Sequence, residues 1–192
     1  MNGGAEHRDR QFSVDGPVTS RGDAEDRRRA RATAIVEEVD AQHGRHLFGL
    51  ARRSGLTEDA AEDAVQEALV RLWVEVRSGV EIIDPKAWAF RTLYRIAMDD
   101  HRLRRRAADL VARLDFHPRS AMDADTAERI SVWKMVDRLP SRQRQVLYLR
   151  YRADMTFDHI AAVMGITSSA ARTHASLACV RLRAVLGEGW NE

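Results

Sequence analysis

Residues 156–178 read TFDHIAAVMGITSSAARTHASLA, and this stretch decides the fold. Thr156 and Thr167 are of the type that caps the amino end of a helix, and Gly165 is of the type that ends one. A small residue, Ala161, stands where two helices would have to approach each other. The pattern predicts two helices joined by a tight turn, which is the geometry of a helix-turn-helix.

The second of these helices has an apolar side and a polar side. Its predicted inner stripe is Ala171, Ala175, Ala178 and Leu182. The polar side that could enter a DNA major groove is Ser169, Arg172, Thr173 and Ser176. Arg172 is the long side chain suited to reading bases on this side. Taken alone, the pattern also fits an ordinary amphipathic helix with a solvated polar face.

A long helix is predicted over residues 57–77, with Thr57 as its cap and acids in its first turn. Apolar residues recur at steps of three and four from Ala61 to Val76, which predicts a buried stripe. A second set with the same spacing lies off this stripe: Asp63, Gln66, Glu67 and Val70. We call this predicted helix α2 and this set of four residues the α2 patch. With a net charge of −4 over the segment, the patch predicts an acidic and polar docking surface.

Charge is sorted along the chain. The whole sequence of 192 residues has a net charge of only +2, yet residues 85–106 and residues 141–186 each carry +5. Nearly all of the positive charge is arginine, whose guanidinium group suits bidentate contacts with phosphate and guanine. The near-neutral total is therefore a sum over segments of opposite charge.

The sequence predicts an all-α fold with two small helical domains joined by a flexible linker. No strand pattern is evident, and helices are expected over 30–51, 57–77, 85–106 and four shorter segments between 127 and 186. Residues 1–29 mix six acids with six bases and show no apolar periodicity, which predicts a disordered tail. Residues 107–126 lose the helical period and are interpreted as the linker, with a short helix as an alternative at its start, and 187–192 as a short tail.

Both halves of the chain resemble bacterial RNA polymerase sigma factors of the extracytoplasmic-function group. The likeness covers about residues 30–186 and rests on three stretches. The first, Ala61 to Trp73 (AEDAVQEALVRLW), is similar to the polymerase-binding helix of region two. The second, Trp88 to Arg106, is similar to the helix that reads and melts the minus-ten element. The third is LPSRQRQVL at 139–147 followed by the helix-turn-helix, which is similar to region four.

The resemblance implies residue roles and partners. Residues 30–106 would be region two and 127–186 region four. The α2 patch would face the clamp helices of the polymerase's largest subunit, and the polymerase flap is a further expected contact. The minus-ten contacts would be Arg91, Arg95, Asp99, Arg102 and Arg105. The minus-thirty-five contacts would be Ser169, Arg172, Thr173 and Ser176. Promoter DNA and an anti-sigma factor are the other expected partners.

Two departures from the family pattern have physical consequences. Arg95 stands where the family commonly has an asparagine. Alanines stand at positions 170, 171 and 175, where relatives carry larger residues, and no bases follow at 176 and 177. Fewer bases imply fewer phosphate contacts and a weaker dependence of binding on salt.

Other classes of function are disfavoured. The runner-up is a helix-turn-helix regulator that binds DNA without docking on the polymerase. Catalysis is not expected, because Asp99-Asp100-His101 and Asp158-His159 are adjacent residues that do not converge on one site, and no phosphate loop or nucleophile motif accompanies them. No cofactor or metal is expected, since a lone Cys179 excludes a multi-thiolate zinc site. With no membrane span or signal peptide evident, the expected location is the cytoplasm.

Overall fold

The computed structural model describes residues 21–112 and 132–186. Every element of these two ranges is a helix, as the sequence predicts for an all-α fold. The helices are α1 Arg21–Arg53, α2 Glu58–Arg77, α3 Pro85–Ala112, α4 Val132–Asp137, α5 Ser141–Tyr151, α6 Phe157–Met164 and α7 Ser168–Leu186. We call α1 to α3 the N-terminal bundle and α4 to α7 the C-terminal unit.

The predicted caps and stripes explain these helices. The Thr57 hydroxyl accepts the Ala60 N–H at 3.4 Å, and the Thr156 hydroxyl accepts the His159 N–H at 3.2 Å, so each satisfies an amide that the first turn leaves without a partner. Gly165 ends α6 with φ +65° and ψ 40°, a left-handed conformation that glycine adopts without steric cost. The core of the bundle includes Leu47, Leu72 and Phe90, all fully buried.

Two predicted boundaries are wrong. Residues 21–29, assigned to a disordered tail, form the first turns of α1, because tertiary contacts such as the ion pair between Glu25 Oε1 and Arg77 Nε at 2.8 Å hold them against α2. Residues 107–112, assigned to the linker, continue α3. Helix α1 is continuous through Gly44. Residues 1–20, 113–131 and 187–192 lie outside the described residues, so the rest of the tail and linker predictions fall there.

The C-terminal unit packs against the N-terminal bundle, which the sequence did not predict. Helix α5 lies on α1 and α6 lies on α3, and the buried apolar residues of both parts form one cluster. We call the contact between the two parts the lobe interface. At its centre the Tyr148 ring lies over Gly49, so close that a Cβ on Gly49 would stand 2.0 Å from the Tyr148 hydroxyl oxygen.

Polar contacts surround this centre. The Arg53 guanidinium pairs with Asp137 (Nε to Oδ1, 3.1 Å) and lies 4.6 Å from the centroid of the Tyr148 ring. Arg144 Nε donates to the Arg53 carbonyl at 3.1 Å, and Gln145 Nε2 donates to the buried Ser54 hydroxyl at 3.2 Å. The lobe interface is therefore a packed and hydrogen-bonded contact with a glycine at its closest approach.

Candidate functional site

The α2 patch lies on the exposed side of α2. Asp63, Gln66 and Glu67 are exposed, and Val70 exposes 58% of its surface although it is apolar. Glu67 Oε1 pairs with Arg71 Nη2 at 2.5 Å, so one acid of the patch is partly neutralised in place. Helix α2 packs on α1 and α3, while α5 and α6 cover other parts of α1 and α3. The four predicted residues are therefore brought together on one accessible face.

The structure adds two features to this face. Val74, which lies one turn beyond Val70, is 53% exposed. A depression of about 390 Å³ opens beside Asp63 and Gln66; its lining residues are Phe48, Glu62, Asp63, Val65 and Gln66. Val74 is not among the residues predicted from the sequence. It could have been found, because it is an apolar residue that lies off the buried stripe and four positions after Val70. An apolar centre with a polar rim is the usual anatomy of a protein interface.

The predicted minus-ten residues share one face of α3. Arg91, Arg95, Asp99, Arg102 and Arg105 are all exposed and recur at steps of three and four. They extend over about 21 Å at the rise of an α-helix. Asp99 Oδ1 accepts from Arg102 Nη1 at 2.9 Å, so this acid orients a neighbouring guanidinium group. In contrast, Phe90 is fully buried and belongs to the core, where it cannot stack on a base.

The helix-turn-helix is built by α6 and α7. Ala171 and Ala178 are fully buried and Ala175 nearly so, which confirms the inner stripe. The Thr167 hydroxyl caps α7 by accepting the Ala170 N–H at 3.1 Å. The Ser168 hydroxyl donates to the Asp158 carboxylate, which ties the first turns of the two helices together. The turn therefore holds α7 in a defined orientation.

The outward face of α7 carries the predicted base-reading side chains. Ser169, Arg172, Thr173 and Ser176 are all exposed on this face. The Arg172 guanidinium carbon lies 5.5 Å from the centroid of the Phe157 ring in α6, so Phe157 restricts where this side chain can point. The Thr173 hydroxyl donates to the Ser169 carbonyl at 3.0 Å and leaves its methyl group outward.

The other acidic motifs are not assembled into a reactive site. Asp99 pairs with Arg102, Asp100 pairs with Arg104 at 2.7 Å, and Asp158 accepts from Ser168. Among the described residues, no group of three His, Cys, Asp or Glu side chains is placed to hold a metal ion. None of the described helices combines the length and apolarity that crossing a bilayer requires.

Two histidines lie close to the lobe interface. Burial, helped by the charges of Lys86 and His46, lowers the pKa of His43. Burial, helped by Arg45, Lys86 and Arg152, lowers the pKa of His46. Lys86 belongs to α3, whereas Arg152 directly follows α5 in the C-terminal unit. Protonation of either ring would add positive charge where several cations already meet.

We predict that the free energy of unfolding falls as the pH drops below about 6.5. The pKa of each histidine is lower in the folded state than in the unfolded chain, where it is near 6.5, so the unfolded chain takes up protons first and acid favours unfolding. Urea unfolding at pH 7.5 and at pH 5.5 measures this loss. Replacing His43 and His46 with glutamine should make the dependence shallower, and an equally steep dependence in that variant would contradict the assignment.

Each half of the chain matches a model of a known protein family. The family model for sigma-70 region 2 matches residues 40–107, and the model for sigma-70 region 4 matches residues 129–182. The first match contains α2 and most of α3, and the second contains α4 to α6 and most of α7. The chain belongs to the extracytoplasmic-function sigma factors. It is an alternative sigma factor, which binds core RNA polymerase and directs it to specific promoters for transcription initiation.

Individual relatives agree with this assignment. This sigma factor is 26% identical over 152 residues to the ECF RNA polymerase sigma factor SigM of two Mycobacterium tuberculosis strains, covering 79% of this chain and 76% of SigM. It is similar to CnrH, solved in complex with the cytosolic domain of CnrY, with a TM-score of 0.55, 26% identity, and coverage of 85% of this chain and 97% of that one. The fold also matches the sigma factor RpoE of Bartonella quintana, solved with the anti-sigma factor NepR, with a TM-score of 0.57, 19% identity, and coverage of 83% and 96%.

Proposed function

We propose that the sigma factor works through three separate faces. The α2 patch docks on the clamp helices of the polymerase's largest subunit, the exposed face of α3 holds the minus-ten element, and the outward face of α7 holds the minus-thirty-five element, with the polymerase flap contacting the C-terminal unit. The observation that carries this proposal is the sorting of charge onto different exposed helix faces, acidic on α2 and basic on α3. Charge complementarity of this kind sets orientation and association rate.

The α3 face suits a strand whose bases have been separated. Four arginines along about 21 Å of helix can contact phosphates over about six nucleotides, since the rise per nucleotide is about 3.4 Å. Arg102, oriented by Asp99, can present its guanidinium in a defined direction. The chain itself makes and breaks no bond in this mechanism, so we propose that the sigma factor is not an enzyme and acts in the cytoplasm, where core polymerase and promoter DNA meet.

Promoter binding requires the lobe interface to open. The names of the minus-ten and minus-thirty-five elements place them about 25 base pairs apart, and this separation is about 85 Å along the axis of duplex DNA. A compact body of the size described has a radius of gyration of about 15 Å, so α3 and α7 cannot hold both elements while the C-terminal unit is docked. Residues 113–131 can span about 70 Å at full extension. We therefore propose that the docked arrangement precedes promoter recognition.

Arg172→Ala is expected to weaken promoter binding selectively. Because a guanidinium group that contacts a guanine edge is worth about 1–3 kcal/mol, the affinity should fall roughly 5- to 150-fold for promoters that match at one or two positions of the upstream element. Binding of wild-type and variant holoenzyme to promoters randomised at those positions, at fixed salt, measures this. An equal loss on every sequence would show instead that Arg172 contacts phosphate.

We also propose that a protein inhibitor of the anti-sigma class binds this chain. The support is that CnrH was solved with the cytosolic domain of CnrY and RpoE with the anti-sigma factor NepR. A protein captured with the tagged sigma factor should, after purification, suppress transcription when added back to the reconstituted holoenzyme. A captured protein that leaves transcription unchanged is not such an inhibitor.

Run-off transcription with reconstituted polymerase on a promoter library tests the proposed function as a whole. Promoter-specific transcripts that depend on the added sigma factor, with two shared sequence elements, are the expected result. Core polymerase that fails to bind the chain, combined with DNA binding by the chain alone, would instead support a helix-turn-helix regulator.

A further inference from the structure

The N-terminal turns of α1 carry a row of arginines that lies outside the match to the region 2 model. Arg27, Arg28 and Arg31 are all exposed, and the model match begins only at residue 40. We call these three residues the arginine ridge. Within residues 21–112 and 132–186, none of the three makes an ion pair or hydrogen bond, whereas Arg53, Arg71, Arg77, Arg102 and Arg104 are all paired with acids.

The ridge is held in place by the packing of α1 on α2. Ala32 is fully buried directly after the ridge. Trp73 Nε1 donates to the Thr33 hydroxyl at 3.2 Å, and Arg77 pairs with Glu25 at 2.8 Å on the other side of the ridge. Contacts with α2 therefore fix α1 on both sides of the three arginines. Their spacing is defined by the helix and does not depend on a partner.

This arrangement is electrostatically unfavourable for the chain alone. Arg27 and Arg31 are four residues apart and Arg28 and Arg31 three apart, so like charges are neighbours on the helix surface. Glu25, three residues before Arg28, is already paired with Arg77. An anionic partner would relieve this repulsion.

The position of the ridge indicates which anion it would meet. Arg28 Cζ lies 3.9 Å from where a Cβ of Gly79 would stand, so the ridge borders the turn 78–84 that leads into α3. The ridge spans the five residues from Arg27 to Arg31, or about 6 Å of helix rise, which corresponds to about two nucleotides of rise along one strand. Guanidinium groups match the geometry of phosphate oxygens.

We propose that the arginine ridge binds the sugar-phosphate backbone of promoter DNA beside the minus-ten element. The ridge thereby extends the α3 face beyond the part of the chain that the family model covers. This inference rests on the proposed role of α3 in holding the minus-ten element. It predicts a contact with phosphates that carries no base preference.

The test compares holoenzymes made with full-length sigma factor and its variants. Replacing Arg27, Arg28 and Arg31 together with alanine should lower the slope of log K against log salt for promoter binding by about 1.4 to 1.8, because each of about two lost phosphate contacts contributes about 0.7 to 0.9. Ethylation interference should lose its signal at about two phosphates next to the minus-ten element. Because alanine favours the helix, α1 should persist in the variant. Circular dichroism checks that the helix content is unchanged.

Two control variants separate charge from other effects. Replacing the same three residues with lysine keeps the charge and should keep most of the slope. Arg45→Ala removes an exposed arginine elsewhere on α1 and should leave the slope and the ethylation pattern unchanged.

Three outcomes would overturn the proposal. If the salt slope of the triple alanine variant is unchanged while core polymerase still binds, the proposed DNA contact of the arginine ridge is rejected. The proposed function as a sigma factor is not affected by that result. Weaker binding of core polymerase with an unchanged DNA slope would show that the ridge contacts protein. Failure of the wild-type holoenzyme to make any promoter-specific transcript would reject the proposed function and the ridge together.

Discussion

Glu67→Arg is expected to abolish stable binding of core polymerase. Glu67 lies in the exposed α2 patch between Asp63 and Val70, so an arginine there would place like charge against the basic partner surface we propose. Juxtaposed like charges cost several kcal/mol, and a loss of about 3 kcal/mol corresponds to a Kd that is higher by roughly 100-fold. Binding of fluorescently labelled sigma factor to purified core polymerase measures this.

The fold should survive this substitution. The ion pair between Glu67 and Arg71 is about half exposed on both sides and of a class that contributes only about 0.3–0.5 kcal/mol. Glu75→Arg provides the matched control, because it reverses an exposed acid of the same helix outside the α2 patch. Equal affinities of the Glu67→Arg and Glu75→Arg proteins would place the polymerase contact elsewhere. Val70→Ala should give a smaller loss, since it removes apolar area without adding charge.

Gly49→Ala is expected to separate the C-terminal unit from the N-terminal bundle. A Cβ at this position would lie 2.0 Å from the Tyr148 hydroxyl oxygen and 2.6 Å from its ring carbon Cζ, and Tyr148 is buried. Alanine is favoured over glycine inside a helix by about 0.5–1 kcal/mol, so α1 itself should become more stable. The clash should therefore disrupt the lobe interface, while α1 remains helical.

Small-angle X-ray scattering measures the separation. The radius of gyration should increase by about 5 Å or more, because a compact body becomes two bodies joined by a chain. Gly44→Ala is the matched control, since its Cβ would meet only the end of the exposed Asp40 side chain. In a Tyr148→Ala background, Gly49→Ala should add nothing further, as expected when two residues act through one contact.

The same variant tests whether opening precedes promoter recognition. If the docked arrangement must open, Gly49→Ala should support run-off transcription at least as well as the wild-type protein at limiting sigma factor. A compact scattering profile identical to that of Gly44→Ala would show that the interface absorbs the clash. An expanded protein that no longer supports transcription would show that the docked arrangement contributes to activity.

Much of the fold and of the candidate site could be predicted from local pattern. The start of α2, the start and end of α6, and the buried alanines of α7 follow from caps, glycine and a 3.6-residue period, which act within a few turns of chain. The exposed faces of α2, α3 and α7 follow for the same reason, because a residue off the buried stripe of a helix must face outward.

The wrong boundaries have a different origin. Residues 21–29 lack an apolar stripe, yet they are helical and contact α2, where Glu25 pairs with Arg77 at a distance of 52 positions in the sequence. No window along the chain contains both partners of such a contact.

The sequence by itself determined the helices and the faces they expose, because periodicity and capping are local, and it determined how charge is sorted along the chain. Only the tertiary structure decided that α5 and α6 dock on α1 and α3, with Gly49 beneath Tyr148 and Arg53 between the two parts. That contact joins residues about 100 positions apart, and its free energy depends on shapes and charges that meet only after both parts have folded.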